Sequence, residues 1–474
     1  MSGAAFFDLD RTLLAGASGE VFSGAMRSAG FTSRSIPGER FVYGLFNRIG
    51  ETLPSMALAR QAANLAKGRS QAAMQAAGEA AADKLVAMVQ PFAGPVFEQH
   101  RTAGRPIVLA TTTPYDLVKP LADRLGLDDV IATRYGVSAD GTYDGSLVGP
   151  FVWAAGKLEA TRVWAAEHDI ELRESYAYSD SYYDTPLLDA VGTAIAVNPD
   201  PRMVLMATAR RWPILNLDVS PGVVKIPVLG MELQQLALQL SRPSLIPYAR
   251  FDIAGVEHIP VAGSAILVAN HRSYFDSAAM SMAIAQSGRT VRFLGKKEVF
   301  DAPLVGSIAT AMGGIRVDRG TGSDEPLQAA ADALVGGEVV AIMPQGTIPR
   351  GPAFFDPELK GRWGAARLAQ MTKAPVIPIG LWGTERVWPR SSRVPNVLNV
   401  NDPPEVRVRV GEPVDLKHRS LDADTKRIMS AISALLPAAA RRPYTPTAAQ
   451  LARTYPPGYR GQPDREIDRR PGTD

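Results

Sequence analysis

Short apolar runs recur along this chain, and in its first half they end in Asp, Thr, Ser or Asn before a helix-like stretch begins. Residues 4–7 run into Asp8-Leu9-Asp10, residues 107–110 into Thr111-Thr112-Thr113-Pro114, residues 176–178 into Ser179-Asp180, and residues 193–197 into Asn198-Pro199-Asp200. A run this short and this apolar reads as a strand buried on both faces. Strands alternating with helices predict a parallel sheet covered by helices. The pattern restarts near Phe251, with strands expected at 265–269, 291–294, 339–343, 376–380 and 406–410. The expected fold class is therefore α/β, twice over.

The length, 474 residues, suits two or three domains at roughly 150 residues each. Residues 1–215 are expected as the first domain. It contains an Ala-rich helical insert at about 15–95, with helices over 56–67 and 71–89. Residues 216–250 are expected as a linker carrying an amphipathic helix, with Leu229, Leu233, Leu236 and Leu240 along one face. Residues 251–440 form the second domain, and the Pro- and Arg-rich stretch 441–474 is expected to be disordered.

The chain has no cysteine, which excludes disulfides, thiolate metal sites and a cysteine nucleophile. With 51 basic and 48 acidic residues the net charge is only +3, so no nucleic-acid partner is expected. No export signal and no membrane-spanning run of apolar residues is visible, which predicts a cytoplasmic protein.

Asp8 and Asp10 stand two apart where a strand ends, so both carboxylates can face one pocket. One could attack phosphorus while the other donates a proton to the leaving oxygen. Asp180 and Asp184 add hard oxygen ligands suited to Mg²⁺. Lys157 and the Thr111 hydroxyl could hold phosphoryl oxygens. The order of these pieces resembles the haloacid dehalogenase superfamily, in its phosphoserine-phosphatase-like branch. That resemblance implies a Rossmann-like domain with a helical cap, with Asp8 as nucleophile and Asp10 as general acid/base. It also implies Thr111 and Lys157 on the phosphoryl group, and Mg²⁺ among Asp8, Asp10, Asp180 and Asp184.

His271 follows an apolar strand and stands five residues before Asp276. A carboxylate on one ring nitrogen leaves the other free to take a proton from a hydroxyl, which is equipment for acyl transfer. An acylated Ser273 or Ser277 is the competing reading. Four blocks in order resemble the glycerolipid (lysophosphatidic acid) acyltransferases: Asn270-His271 with Asp276, Gly314 to Arg319, Pro344-Gln345-Gly346-Thr347, and Val376 to Gly380. The resemblance implies His271 as base and Asp276 as its orienter. Arg319, Gln345, Gly346 and Thr347 would bind the acceptor phosphate. The donor would be acyl-CoA or acyl-acyl carrier protein, the acceptor a lysophospholipid, and the protein peripheral at the cytoplasmic face of the membrane. Gln345 stands where that family has Glu, which leaves the acceptor open between a phosphate-bearing and a phosphate-free lipid. Together the two resemblances imply a bifunctional fusion. An acyltransferase with a regulatory phosphatase-like domain, or a lipid-binding scaffold, are the alternatives.

Overall fold

The computed structural model describes residues 2–31, 53–226, 230–317 and 325–460. It divides into two units, Met1–Pro221 and Gly222–Asp474, each built on a seven-stranded sheet. Both are mixed α/β layers dominated by parallel pairing.

In the first unit the strands are β1 (Ala5–Phe7), β2 (Ile107–Pro114), β3 (Asp129–Val137), β4 (Tyr143–Val148), β5 (Tyr176–Ser179), β6 (Thr193–Val197) and β7 (Ile214–Leu215). Their order is β4-β3-β2-β1-β5-β6-β7, with only β3–β4 antiparallel. β1 is the centre. Its residues are buried on both faces, which is why it reads as an unbroken apolar run. Parallel pairing with β2 and β5 brings three strand tips to one edge, where ligands bind in sheets of this kind. Helices Gly19–Ser28, Leu53–Ala66 and Gln71–Val86 lie within the expected cap. The cap residues 32–52 lie outside the described set.

In the second unit the strands are β8 (Arg250–Ala254), β9 (Ala265–Ala269), β10 (Arg292–Lys296), β11 (Ile315–Val317), β12 (Val339–Ile342), β13 (Val376–Trp382) and β14 (Glu405–Val410). They are ordered β11-β10-β12-β9-β13-β14-β8, and only β13–β14 is antiparallel. β9 is fully buried at the middle, so His271 emerges at the centre of the sheet's carboxyl edge and Gln345 beside it, after β12.

Two expectations need correction. The stretch 216–250, expected as a linker with an amphipathic helix, is divided at Pro221, and the helix beyond it falls within the second unit. Helix Leu233–Leu240 is held by Gln234, whose side chain exchanges two hydrogen bonds with the backbone of Val291 (2.7 and 2.8 Å). The fully buried Arg292 pairs with Glu232 at 2.7 Å and Glu338 at 2.6 Å. The start of the helix is thus tethered through Glu232 and Gln234. Leu236 is 37% exposed, Leu229 lies outside the described residues, and nothing is described of the Leu240 side chain.

The second correction concerns the C-terminal stretch. Residues 443–460 pack on the second unit, anchored where the backbone N–H of Gly351 donates to Thr454 Oγ1 at 2.8 Å. Composition suggested disorder over 441–474, but for residues 443–460 a few buried contacts decide otherwise, and residues 461–474 lie outside the described set. Thr454 is buried, helix Ala448–Ala452 is closed by a Thr447–Gln450 capping box, and Tyr455 stacks on Tyr459.

Candidate active sites

The first site forms at the tips of β1 and β5. The backbone N–H of Asp8 donates to Tyr178 O at 2.9 Å, which sets Asp8 beside Ser179 and Asp180. The chain then turns sharply at Arg11, whose φ of 60° lies in the left-handed region. This turn brings Thr12 back to Asp180, with Thr12 Oγ1 accepting from Asp180 N at 2.9 Å. Lys157 comes from the start of helix Ala155–Glu167. The preceding residue must be glycine, because a Cβ on Gly156 would lie 2.1 Å from the Phe151 carbonyl oxygen.

Lys157 is almost wholly buried, and its Nζ reaches Asp8 Oδ1 at 2.8 Å and Asp184 Oδ2 at 2.6 Å. A buried ammonium between two carboxylates is stabilised only because both partners are in place. Ser179 Oγ also donates to Asp184 Oδ2 at 2.7 Å. Asp10 accepts from Ser18 N at 2.5 Å, yet loss of solvent pushes its carboxyl above the usual carboxylate range. Asp8 and Asp10, two residues apart, therefore differ in environment, with an ammonium against one and desolvation dominating the other. Thr111 is buried on β2, where its Oγ1 accepts from Thr113 N at 3.2 Å.

The second site sits after β9. Tyr274 and Phe275 form a turn, and the helix Asp276–Ser287 begins with Asp276 itself. Asp276 is fully buried, and its Oδ2 accepts three hydrogen bonds: from His271 Nδ1 at 2.8 Å, Arg272 N at 2.6 Å and Ser273 N at 2.8 Å. The turn and the imidazole are therefore fixed by one oxygen. Asn270 locks the strand tip to β13 by exchanging two hydrogen bonds with Leu381.

Ser273 is buried and its Oγ donates to Trp388 O at 2.6 Å, a structural bond that takes it out of the running as a nucleophile. Ser277 is exposed on the helix. Gln345 lies where the carboxyl edge predicts, but its Oε1 is engaged with the protein, accepting from His271 N at 2.6 Å. Gly346 turns the chain with φ 70°, and Thr347 lines the cavity. Arg319 lies outside the described residues.

His271 opens onto a cavity of about 680 Å³ whose wall carries Arg350, Lys360 and Arg362. Lys360 and Arg362 belong to a basic stretch visible in the sequence. Three lining residues were not anticipated. Arg272 is held between the rings of Phe354 (4.2 Å) and Trp382 (4.4 Å) and pairs with Glu385 at 3.1 Å. Tyr444 and Tyr455 come from the C-terminal stretch. Arg272 beside His271 was a findable signal, whereas the two tyrosines depend on how the chain returns.

Residues 5–189 match the family model for haloacid dehalogenase-like hydrolase, and residues 250–382 match the one for Acyltransferase. The chain is 35% identical over 232 residues to the phosphoserine phosphatase SerB1 of Mycobacterium tuberculosis (strain ATCC 25618 / H37Rv), covering 48% of this chain and 75% of that protein. It is 36% identical over 255 residues to the inhibition of morphological differentiation protein of Streptomyces azureus, covering 53% of this chain and 89% of that one. Among solved structures, the 1-acyl-sn-glycerophosphate (LPA) acyltransferase, PlsC, from Thermotoga maritima is similar over 42% of this chain and 78% of its own, at 22% identity and a TM-score of 0.32. The chain belongs to the haloacid dehalogenase-like hydrolases. More particularly, it is a fusion in which a phosphoserine-phosphatase-like domain is followed by an acyltransferase domain.

Hydrolases of this family generally use Mg²⁺. The donors here suit it, being hard carboxylate oxygens, and Asp184 Oδ1 is buried with no hydrogen-bond partner. Among the described residues no three acidic or histidine side chains are gathered into a cage. Lys157 stands between Asp8 and Asp184, and Asp180 faces Thr12 and Arg11. The fit therefore rests on Asp184 and the carboxylates beside it. No helix among the described residues is long and apolar enough to cross a membrane.

Proposed function

We propose that this chain carries out two reactions: hydrolysis of a phosphomonoester at Asp8, and transfer of an acyl group from a thioester to a lysophosphatidic-acid-like acceptor at His271. The observation that carries the second reaction is the bond from His271 Nδ1 to the buried Asp276. It fixes the ring so that Nε2 is the nitrogen left to act. Nε2 takes the proton of the acceptor hydroxyl, the oxygen attacks the thioester carbonyl, and the departing thiolate recovers a proton from the imidazolium. Asp276 stabilises the cation in between, a role that needs a negative charge held in place. Arg350, Lys360 and Arg362 supply positive charge for the acceptor's phosphate.

In the first reaction an Asp8 oxygen attacks phosphorus, and the leaving alcohol takes a proton from Asp10. Water then attacks the aspartyl-phosphate while Asp10 takes a proton back. The raised Asp10 carboxyl supports this assignment, since the group must enter the cycle protonated. Lys157 and Thr111 would hold the phosphoryl oxygens. Asp8, Asp180, Asp184 and the backbone at Asp10 would hold Mg²⁺, which when bound offsets the charge of the transferring group.

A lipid acceptor places the second unit at a membrane surface, on its cytoplasmic side, with an acyl-CoA or acyl-acyl carrier protein as donor. The test is direct. Purified protein is given labelled acyl-CoA with lysophosphatidic acid, and separately a panel of phosphomonoesters. Label in phosphatidic acid and release of phosphate are both expected, and absence of either removes that half of the reading.

A further inference from the structure

The loop that leaves β12 carries Gln345 near its start and Arg350 at its end, and three other parts of the second unit hold it. Gln345 Oε1 accepts from His271 N at 2.6 Å, the Arg390 guanidinium donates to Ile348 O, and Gly351 N donates to Thr454 Oγ1 at 2.8 Å. The third hold comes from the C-terminal stretch, far beyond residue 382, where the match to the acyltransferase family ends.

This stretch meets the loop at two successive residues. At Gly351 the φ is +56°, and a Cβ there would stand 2.5 Å from the Tyr455 hydroxyl. At Arg350 the guanidinium carbon lies 5.2 Å from the centre of the Tyr459 ring, within cation–π range. Tyr459 is itself seated on Tyr455, with the ring centres 4.8 Å apart and the planes 26° from parallel. Arg350 and Tyr455 both line the cavity onto which His271 opens. An arginine fixed only at its backbone spreads over many rotamers, and ordering it on a ligand costs that freedom. A ring face against the guanidinium restricts it beforehand, and cation–π attraction takes up none of its N–H donors.

We propose that Tyr459, backed by Tyr455, is a positioning residue that aims Arg350 at the acceptor's phosphate. The C-terminal stretch thereby sets the preference for a phosphate-bearing acceptor over a phosphate-free one. This rests on the reading of the His271 cavity as the acceptor site. The Tyr459 ring acts through Arg350, so its loss weakens phosphate binding and leaves the chemistry at His271 at its normal rate.

The test uses the full chain with Tyr459→Leu, Tyr459→Phe, Arg350→Gln and the double variant Arg350→Gln, Tyr459→Leu. Lysophosphatidic acid and the monoacylglycerol of the same chain are compared as acceptors at fixed acyl-CoA. Binding of both lipids without donor is measured alongside and needs no turnover. Tyr459→Leu should raise the KM and weaken the binding of lysophosphatidic acid by roughly threefold to tenfold, with kcat and the monoacylglycerol values unchanged. Tyr459→Phe keeps the ring and should behave as wild type. Arg350→Gln should cause the larger loss, and Tyr459→Leu should add little to it, because the ring then has no cation to hold. An unchanged lysophosphatidic acid KM in Tyr459→Leu overturns the proposal, as does an equal further loss on top of Arg350→Gln. A matching loss for monoacylglycerol also overturns it, since that marks general damage to the cavity. The reading beneath it fails differently. If wild type binds lysophosphatidic acid in preference to monoacylglycerol but acylates neither, the acyl-transfer assignment falls, and the binding measurements still decide the role of Tyr459. If wild type binds the two lipids alike, both fall.

Discussion

Gln345 Oε1 accepts the backbone N–H of His271 at 2.6 Å, so the side chain after β12 fixes the residue after β9. The sequence assigned Gln345 to the acceptor's phosphate, and the geometry gives it a positioning task. It also explains how a Gln can stand where the resembling family has Glu, since either side chain offers an oxygen to that N–H. Gln345→Glu should therefore retain most acyl transfer. Gln345→Met leaves the N–H without a partner, at a cost of about 1–3 kcal/mol. That loss should appear as a drop in kcat of tenfold or more with little change in acceptor KM. Steady-state kinetics of the two variants checks this, and a rise in acceptor KM alone would return Gln345 to substrate binding.

Asp10 makes the phosphatase reaction sensitive to pH. Desolvation raises its carboxyl, so it stays protonated to a higher pH than an exposed aspartate. As general acid it works only when protonated, and the rate should fall as pH rises through that raised value. Asp10→Asn should remove most of the rate and this alkaline limb with it. A pH–rate profile whose alkaline limb is unchanged in the residual activity of the variant would place the acid elsewhere. The raised carboxyl also has a stability consequence: the folded state holds this proton more tightly than the unfolded chain. Its contribution is favourable at low pH and is lost as pH rises from the ordinary aspartate range through the raised value.

Metal dependence should divide the two activities. The first site gathers the carboxylates of Asp8, Asp180 and Asp184, whereas at the second Asp276 Oδ2 is committed to His271 and two backbone N–H groups. EDTA should stop phosphate release, with Mg²⁺ restoring it, and should leave acyl transfer unchanged. Loss of acyl transfer on chelation, reversed by Mg²⁺, would contradict the account of the second site.

Arg292 tests whether residues 232–240 belong to the second unit. It is fully buried between Glu232 and Glu338, and removing it strands two carboxylates. Arg292→Met should destabilise the protein by about 3–5 kcal/mol. The triple change Arg292→Met, Glu232→Gln, Glu338→Gln should recover part of that loss. Denaturant titration measures both, and an unaffected Arg292→Met would mean the helix is not held as described.

Much of both sites was legible because strand tips announce themselves. Apolar runs ending in Asp8, Thr111 and Ser179-Asp180 become β1, β2 and β5, and the run before His271 becomes β9. The spacing of His271 and Asp276 foretold their bond, because one turn returns residue 276 to residue 271. What stayed hidden depends on partners far along the chain. Gln345 meets His271 across 74 residues, and Gly351 meets Thr454 across 103. Residues 443–460 looked disordered because their Pro and Arg content outweighs the few residues that anchor them. β3 and β4 were missed for a different reason: in β3 the short run Val130-Ile131-Ala132 gives way to Thr133 and Arg134, and β4 is a half-exposed antiparallel edge strand with no apolar run. The leucine stripe at 229–240 marked an amphipathic helix, but Gln234, a residue off that stripe, ties it to Val291.

The central claim is that one chain holds two chemically independent sites. Asp8→Asn and His271→Ala are prepared as folded proteins, and both activities are measured on each. The account predicts a crossed result. Asp8→Asn, whose amide cannot attack phosphorus, loses phosphate release and keeps acyl transfer. His271→Ala keeps phosphate release and loses acyl transfer by roughly 10²–10⁴-fold, the worth of general-base help. If either variant, still folded, loses both activities together, the two-site account is contradicted.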